Sequence, residues 1–149
     1  MKKITKRSEC PISRALDILG DKWTLLIIRD IVFRGFRFYN EFLEGGEGIA
    51  TNVLSDRLKM LESQGFLVSK KYELQKTKKV YTLTEKGIGI IPIILEMMVF
   101  GFNFDNSLQI SNQDSKTMRT VIHRIVTDKD AFLKEIIASV RSFDAKNYC

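Results

Sequence analysis

The chain has 149 residues, of which 44% are hydrophobic and 28% are charged, and this composition is typical of one soluble globular domain. The net charge is +6, from 24 Lys and Arg against 18 Asp and Glu, so the protein is expected to attract polyanions. Two distant cysteines and one histidine argue against a disulfide framework, a zinc site and most acid–base catalysis. We therefore expect no cofactor, no metal and no enzymatic activity.

Two segments bear on targeting and on membrane insertion, the N-terminus and an apolar run in the second half of the chain. The basic N-terminus lacks the apolar stretch that a signal peptide requires. The apolar run 88–104 contains Pro92 and Glu96 and is shorter than a typical membrane-spanning helix. We therefore expect a cytoplasmic protein that does not enter a membrane.

Three helices are predicted in the first 43 residues. Apolar residues at helical spacing indicate a helix over 12–19, which a glycine ends. Asp21 can cap the next helix, 23–32, whose many apolar positions predict the most buried helix of the domain. A short helix over about 38–43 and a glycine-rich turn over 44–48 follow.

The stretch 51–64 is predicted to be a helix with two different sides, ended by Gly65 in the left-handed conformation. At 100° per residue, one side collects apolar residues that suit a core, namely Leu54, Leu58 and Leu61. The opposite side collects small and polar residues, namely Asn52, Ser55, Asp56 and Lys59. Arg57 falls beside the apolar side, so its head group is expected to reach either a carboxylate or a phosphate.

The second half begins with two predicted strands, 66–72 and 80–83, joined by a long polar loop over 73–79. Thr84 is expected to cap one helix from Glu85 to about Phe104. A polar linker over 107–116 and a last amphipathic helix from Thr127 complete the chain.

Three helices followed by a two-stranded hairpin are typical of the winged helix-turn-helix, an α+β fold. Within one compact domain overall we expect a basic N-terminal arm (1–11), a winged helix-turn-helix (12–86) and a C-terminal helical dimerisation region (87–149). The run 88–104 is apolar almost all round, which a small monomer does not cover, so we expect a homodimer.

The helix 51–64 fits the requirements of a DNA recognition helix. Asn52 suits adenine, Ser55 suits either base type, and Thr51 suits a phosphate or a thymine methyl group. Lys59 suits guanine or the backbone, and Asp56 suits a cytosine amine or an ion pair with Lys59 or another cation. The alternative is an ordinary surface helix with a solvated side.

The hairpin adds positive charge to this helix. Between residues 57 and 86 the chain has eight basic residues against three acidic ones. Lys76, Lys78 and Lys79 are predicted at the loop tip, where they suit a groove or a phosphate strand and where binding is weakened by salt. The alternative is a loop that serves only solubility.

These segments resemble the HxlR family of bacterial and archaeal regulators, a winged-helix branch close to MarR. Residues 19–27 are similar to its "GxKW" helix, 37–42 to its "RYNEF" segment, 48–65 to its recognition helix and 80–87 to the end of its wing. The resemblance covers about 10–100. It implies a dimer with an interface of terminal helices, palindromic double-stranded DNA operators, no enzymatic activity, and DNA contacts from Thr51, Asn52, Ser55 and Lys59.

Three features depart from the family pattern. Ala50 stands where Ser or Thr is usual, so a helix cap is expected to be lost or shifted to Thr51. Phe38 stands where a second basic residue is common. The tail beyond about residue 105 is longer than usual, and it is expected to enlarge the dimer interface or to shape an effector site.

Cys10 precedes a helix start and follows Lys6 and Arg7, an arrangement that favours the reactive thiolate. Some HxlR relatives sense quinones, aldehydes or oxidants with a cysteine at this place. Redox sensing and a small buried interface residue are the two interpretations of Cys10, whereas Cys149 is expected to be a tail residue.

The sequence thus predicts a sequence-specific DNA-binding transcriptional regulator that acts as a homodimer and represses transcription, with an effector that the sequence does not specify. The alternative is a winged-helix protein–protein interaction module without DNA binding. An enzyme is disfavoured, because no nucleophilic triad, phosphate loop or metal-ligand cluster is visible in the sequence.

Overall fold

The computed structural model describes residues 7–104 and 112–148, with side chains from residue 116 onwards in the second range. In chain order the elements are α1 (Pro11–Leu19), α2 (Lys22–Arg34), α3 (Tyr39–Leu43), α4 (Thr51–Ser63), β1 (Leu67–Tyr72), β2 (Gln75–Leu83), α5 (Glu85–Ile88), α6 (Ile91–Phe104), α7 (Asn112–Thr127) and α8 (Lys129–Asn147). Helices α2–α4 followed by the β1–β2 hairpin confirm the predicted winged helix-turn-helix.

The first four helices begin and end close to where the sequence predicts. Asp21 caps α2 by accepting a hydrogen bond from the backbone N–H of Thr24 at 3.1 Å. Gly35 ends α2 with a φ of 70°, a left-handed conformation that glycine adopts without a steric penalty. Ile28 and Ile31 of α2 are fully buried, so α2 forms the centre of the domain as predicted.

The hairpin is longer than the sequence predicts. Lys71 pairs with Lys79, and Tyr72 pairs with Gln75 after a register shift that leaves residues 76–78 of β2 bulged out of the ladder; Glu73 and Leu74 form the turn. The predicted loop over 73–79 is therefore wrong: Lys76, Lys78 and Lys79 lie on β2 and not at a loop tip. The physical reason is that backbone groups make the strand pairing, so β2 continues through exposed polar residues and accommodates the extra ones in a bulge.

The predicted single helix from Glu85 to Phe104 is two helices. The cap is confirmed, because the Thr84 hydroxyl accepts a hydrogen bond from the N–H of Gly87 at 3.1 Å. The break between α5 and α6 follows from Pro92, which has no N–H to donate to the carbonyl of Ile88 and whose ring collides with it. The run Glu85–Phe104 is long and apolar enough to cross a membrane by length and composition alone. Part of this run belongs to the protein core instead, because Ile91, Ile94 and Leu95 of α6 are buried.

The tail contains one helix that the sequence analysis missed. Residues 107–111 of the predicted linker lie outside the described residues, but α7 begins at Asn112, so residues 112–116 are helical. Apolar residues do recur at helical spacing in α7, at Met118, Val121, Ile122 and Ile125. Helix α8 begins at Lys129 rather than at Thr127, because Asp128 caps it by accepting from the N–H of Ala131 at 3.0 Å.

One cluster of buried side chains extends through the described parts of the chain. Its centre contains Leu54, Leu58 and Leu61 from α4, and Ile91 and Leu95 from α6. Ile122 and Ile125 of α7 and Phe132 and Val140 of α8 belong to the same cluster. The tail helices therefore pack on the winged helix-turn-helix and share its core.

Candidate nucleic-acid interface

Helix α4 has an apolar side in the core and a polar side in solvent. Leu54, Leu58, Met60 and Leu61 are buried. On the other side Thr51, Asn52, Asp56 and Lys59 are exposed. The structure therefore brings together four of the predicted recognition residues on one uncovered surface. Gly65 stands directly after the helix with a φ of 76°, as predicted for its C-terminal end.

The N-terminus of α4 has no side-chain cap. Ala50 occupies the N-cap position with an extended backbone, and no side chain accepts a hydrogen bond there. The predicted loss of the cap is confirmed, since Thr51 is the first helical residue and does not replace it. Backbone N–H groups at a helix start are hydrogen-bond donors next to the positive end of the helix dipole, and both features favour a phosphate.

Tyr39 connects α3 to the first turn of α4. Its hydroxyl donates a hydrogen bond to the carbonyl oxygen of Thr51 at 2.9 Å and lies 3.3 Å from the hydroxyl of Ser55. Ser55 is therefore half-buried and turned towards α3, unlike the four exposed residues. Sequence reasoning missed Tyr39 as a site residue, although it stands in the segment similar to "RYNEF".

The turn before α4 is held by ion pairs with α2. Arg29 contacts Glu47 at 2.7 Å and Asp30 at 2.7 Å, and Arg34 donates to the carbonyl of Gly45 at 2.7 Å. The hydrogen bond from Arg29 lowers the pKa of Glu47. Burial works against the charged form of Arg29, but hydrogen bonds to Glu47 and Asp30 outweigh it and raise the pKa of Arg29. These contacts fix the position from which α4 begins.

Arg57 does not join the exposed side of α4. It is half-buried, and its Nε lies 3.4 Å from Oδ1 of Asp21, the residue that caps α2. Of the two partners expected for Arg57, the structure thus shows the carboxylate. Its contact helps to hold α4 against the N-terminal end of α2.

A groove separates β2 of the hairpin from the start of α3, the helix that contacts α4 through Tyr39. Phe38, the residue before α3, makes a β-bridge with Val80 of β2 and so brings the start of α3 next to this strand. The resulting α3–β2 groove has a volume of about 550 Å³ and is lined by Phe38, Tyr39, Asn40, Glu41, Thr77, Lys78, Lys79 and Tyr81. Lys78 and Lys79 therefore lie on a surface that Tyr39 shares with α4. Lys76 is exposed nearer the hairpin turn.

Cys10 is exposed at the N-cap of α1. Its carbonyl accepts from the N–H of Arg14 at 3.0 Å, and Arg7 pairs with Asp17 at 3.4 Å. Cys10 is thus open to solvent or to a partner subunit, and both interpretations, redox sensing and burial at a subunit interface, stay predictions. Cys149 lies outside the described residues.

Exposed apolar side chains mark a second surface, on α1 and α6. Ile12 and Leu16 of α1 are 72% and 52% exposed. On α6, Phe100 and Phe104 are 67% and 77% exposed, and their rings stack with centroids 5.4 Å apart. In the residues that the structure describes, no three His, Cys, Asp or Glu side chains form a group that could hold a metal ion.

The order of the helices, the exposed polar side of α4 and the basic hairpin that follows it are those of a winged helix-turn-helix. The sequence model of the HxlR-like helix-turn-helix family matches residues 18–109. The chain belongs to this family. Helices α7 and α8 lie beyond the matched residues, so they are an addition to the part that the family shares.

Relatives with assigned names agree with this family. An HTH-type transcriptional regulator of Synechocystis sp. is 33% identical over 92 residues, which are 62% of this chain and 67% of the relative. The HTH-type transcriptional regulator YodB of Bacillus subtilis is 31% identical over 96 residues, 64% of this chain and 85% of YodB.

Solved structures show the same fold. PA1607, a protein assigned as a transcription factor, has a TM-score of 0.64 and 33% identity, with 72% of this chain and 73% of that chain covered. The redox regulator HypR in its reduced form has a TM-score of 0.58 and 31% identity, with 67% and 98% covered. Reduced YodB has a TM-score of 0.53 and 31% identity, with 66% and 97% covered, and YodB has also been solved with a bound quinone.

Proposed function

We propose that this HxlR-family protein is a sequence-specific regulator that binds double-stranded DNA as a cytoplasmic homodimer and represses transcription from a palindromic operator. The observation that carries the proposal is the uncovered polar side of α4, where Thr51, Asn52, Asp56 and Lys59 have no core to pack against. An α-helix of this kind fits the major groove and presents its N-terminal residues to base edges.

Each exposed residue of α4 has a distinct expected contact. Asn52 makes the paired hydrogen bonds that suit adenine, and Lys59 reaches guanine or a phosphate. Asp56 accepts from a cytosine amine, because a carboxylate next to a phosphate is repelled. Thr51 lies at the uncapped helix start, where its hydroxyl and the free N–H groups suit a phosphate.

The wing, defined as β1, its turn and β2, supplies the phosphate contacts. Lys78 and Lys79 line the α3–β2 groove, and Lys76 extends the positive charge towards the turn. A phosphate strand that runs along this groove passes Tyr39 and reaches the start of α4. Each phosphate neutralised by a lysine contributes about 0.9 to the slope of log affinity against log salt concentration.

The dimer is proposed to form through the exposed apolar residues of α1 and α6. Ile93, Met97, Phe100 and Phe104 follow each other along one side of α6, and Ile12 and Leu16 add apolar surface from α1. Large apolar side chains grouped in this way favour a protein–protein contact, and a two-fold axis is the commonest solution for identical chains. Such a dimer presents two α4 helices about 34 Å apart, one DNA turn.

The experiment is an electrophoretic mobility-shift assay at low and at high salt. It uses duplexes from the promoter region of the protein's own gene and duplexes selected from a random pool. Asn52→Ala is expected to weaken the selected duplex by about 1–3 kcal/mol, or about five- to 150-fold, and to relax the preference at one base pair. Lys59→Ala is also expected to weaken duplex binding. Its control is Lys134→Ala, which removes the same charge from an exposed position on α8 and is expected to bind as wild type. A wild-type chain without salt-sensitive duplex binding would instead be an interaction module.

We also propose that Cys10 makes the regulator responsive to oxidants or electrophiles. The thiol is exposed at the start of α1, next to the apolar residues proposed for the dimer, so its modification changes that surface. The similarity to the redox regulator HypR and to YodB, which has been solved with a quinone, supports this assignment. Quinone treatment is expected to release operator DNA from wild type and from Cys149→Ser but not from Cys10→Ser. Equal release from all three variants contradicts the role of Cys10.

A further inference from the structure

The end of α8 contacts the wing through a cluster of aromatic rings. The ring of Tyr148 lies 6.2 Å from that of Tyr72, the last residue of β1, in an edge-on arrangement. It also lies 6.0 Å from the ring of Phe38, which bridges to Val80 of β2. Phe38 and Tyr72 contact each other at 5.1 Å. One aromatic cluster therefore connects the end of the tail to both strands of the wing.

A buried ion pair anchors the same end of α8. Arg37 is 1% exposed, and its Nε donates to Oδ1 of Asp144 at 2.6 Å. Its Nη1 donates to the carbonyls of Ile31 and Phe36, both at 2.8 Å. The carbonyl of Arg37 accepts from the N–H of Tyr81 on β2 at 2.8 Å. The residue that holds α8 thus also hydrogen-bonds the wing.

The wing needs such support because a two-stranded sheet has little stability of its own. The outer part of the hairpin, from Lys70 to Lys79, is mostly exposed. A cleft of about 280 Å³ between this part and α8 is lined by Lys70, Lys71, Tyr72, Glu73, Leu74, Val80, Lys146, Asn147 and Tyr148. The tail therefore lies alongside the wing, and its lysine stands near two lysines of β1.

We propose that the end of α8 is a brace for the wing and that Tyr148 is a positioning residue, which sets the place where Lys78 and Lys79 meet DNA. The aromatic cluster restricts the angle between β1–β2 and the helical core, so that the wing keeps the lysines beside α4 before DNA arrives. Less conformational freedom is then lost on binding, and the affinity rises. The part of this proposal that concerns DNA affinity rests on the proposed function.

The test compares Tyr148→Ala with Tyr148→Phe, which keeps the ring, and with Lys146→Gln, which removes the nearby charge and leaves the ring in place. Two measurements are made on the full chain: affinity for a selected duplex over a range of salt, and amide hydrogen exchange without DNA. Tyr148→Ala is expected to weaken binding on the order of tenfold and to reduce the salt slope by about two, as two lysine–phosphate contacts are lost. It is also expected to speed exchange in the outer hairpin and to leave α4 unchanged.

Tyr148→Phe is expected to behave as wild type in both measurements. Unchanged hairpin exchange in Tyr148→Ala overturns the brace, whatever the DNA result. Equal acceleration in α4 and the hairpin also overturns it, because the residue would then support the whole domain. If Lys146→Gln alone reduces the salt slope, the tail acts by direct charge contact and the proposal is wrong. Failure of wild type to bind duplex refutes the proposed function, and the exchange measurement still decides on the brace.

Discussion

The strongest stability prediction concerns Asp144, the carboxylate buried against Arg37. Asp144→Ala removes the acceptor of the 2.6 Å hydrogen bond and leaves a guanidinium that is 1% exposed without its counter-charge. Breaking a buried ion pair from one side costs about 3–5 kcal/mol. The two carbonyls that still accept from Arg37 partly compensate, so we expect a loss of about 3 kcal/mol in the free energy of unfolding. The melting temperature is expected to fall by about 6–12 °C.

The assay is urea unfolding followed by circular dichroism and by the fluorescence of Trp23, the only tryptophan. Glu135→Ala is the matched control, because it breaks the exposed pair of Arg124 and Glu135 and is expected to cost at most about 1 kcal/mol. Replacing both partners, in Arg37→Met with Asp144→Leu, is expected to recover much of the loss, since no charge then stays buried. A loss below about 1 kcal/mol for Asp144→Ala, equal to the control, would refute the reasoning.

Three further predictions concern the start of α4 and the dimer. Ala50→Ser supplies the missing N-cap acceptor and is expected to raise the free energy of unfolding by about 0.5–1 kcal/mol in urea titrations; a neutral or negative effect contradicts the uncapped start. Glu47→Gln removes the carboxylate whose pKa the hydrogen bond from Arg29 lowers from 4.5. The stabilisation from this ion pair is complete above that value and is lost as the pH falls through the lowered pKa. The variant is therefore expected to cost about 0.5 kcal/mol at neutral pH and nothing at low pH, and a pH-independent difference would show that the ion pair is not the cause. Phe100→Glu places a charge on the exposed side of α6 and is expected to convert a dimer into a monomer in light scattering, with Lys134→Glu as a control that keeps the mass of wild type.

Local signals predicted most of the fold. Helices α1–α4 follow from apolar spacing and from caps such as Asp21 and Gly65, which act within a few residues. The wing length was mispredicted because a solvated ladder leaves no apolar pattern in 75–79. The break before α6 is not evident from the apolar run 88–104, because a proline is tolerated in the first turn of a helix and Pro92 marks a new helix start only once the carbonyl of Ile88 is considered.

The candidate site also contains parts that local sequence predicts and parts that depend on contacts between distant residues. The exposed side of α4 follows from the angular positions of Asn52, Asp56 and Lys59, which need only the helix to be known. The contact between Arg37 and Asp144 joins residues 107 positions apart, and no local pattern predicts it. No local pattern predicts the contact between Tyr148 and the wing either, because it depends on how α8 packs against the rest of the protein.

The separation between Arg37 and Asp144 also bears on how the protein is made. With synthesis at about 5–20 residues per second, some 5–20 s pass between the appearance of the cation and that of its anion, which are 107 positions apart. During that interval the nascent hairpin and the first four helices have no carboxylate from α8 to neutralise the guanidinium. The buried pair that holds α8 against the winged helix-turn-helix therefore forms only after Asp144 has been synthesised.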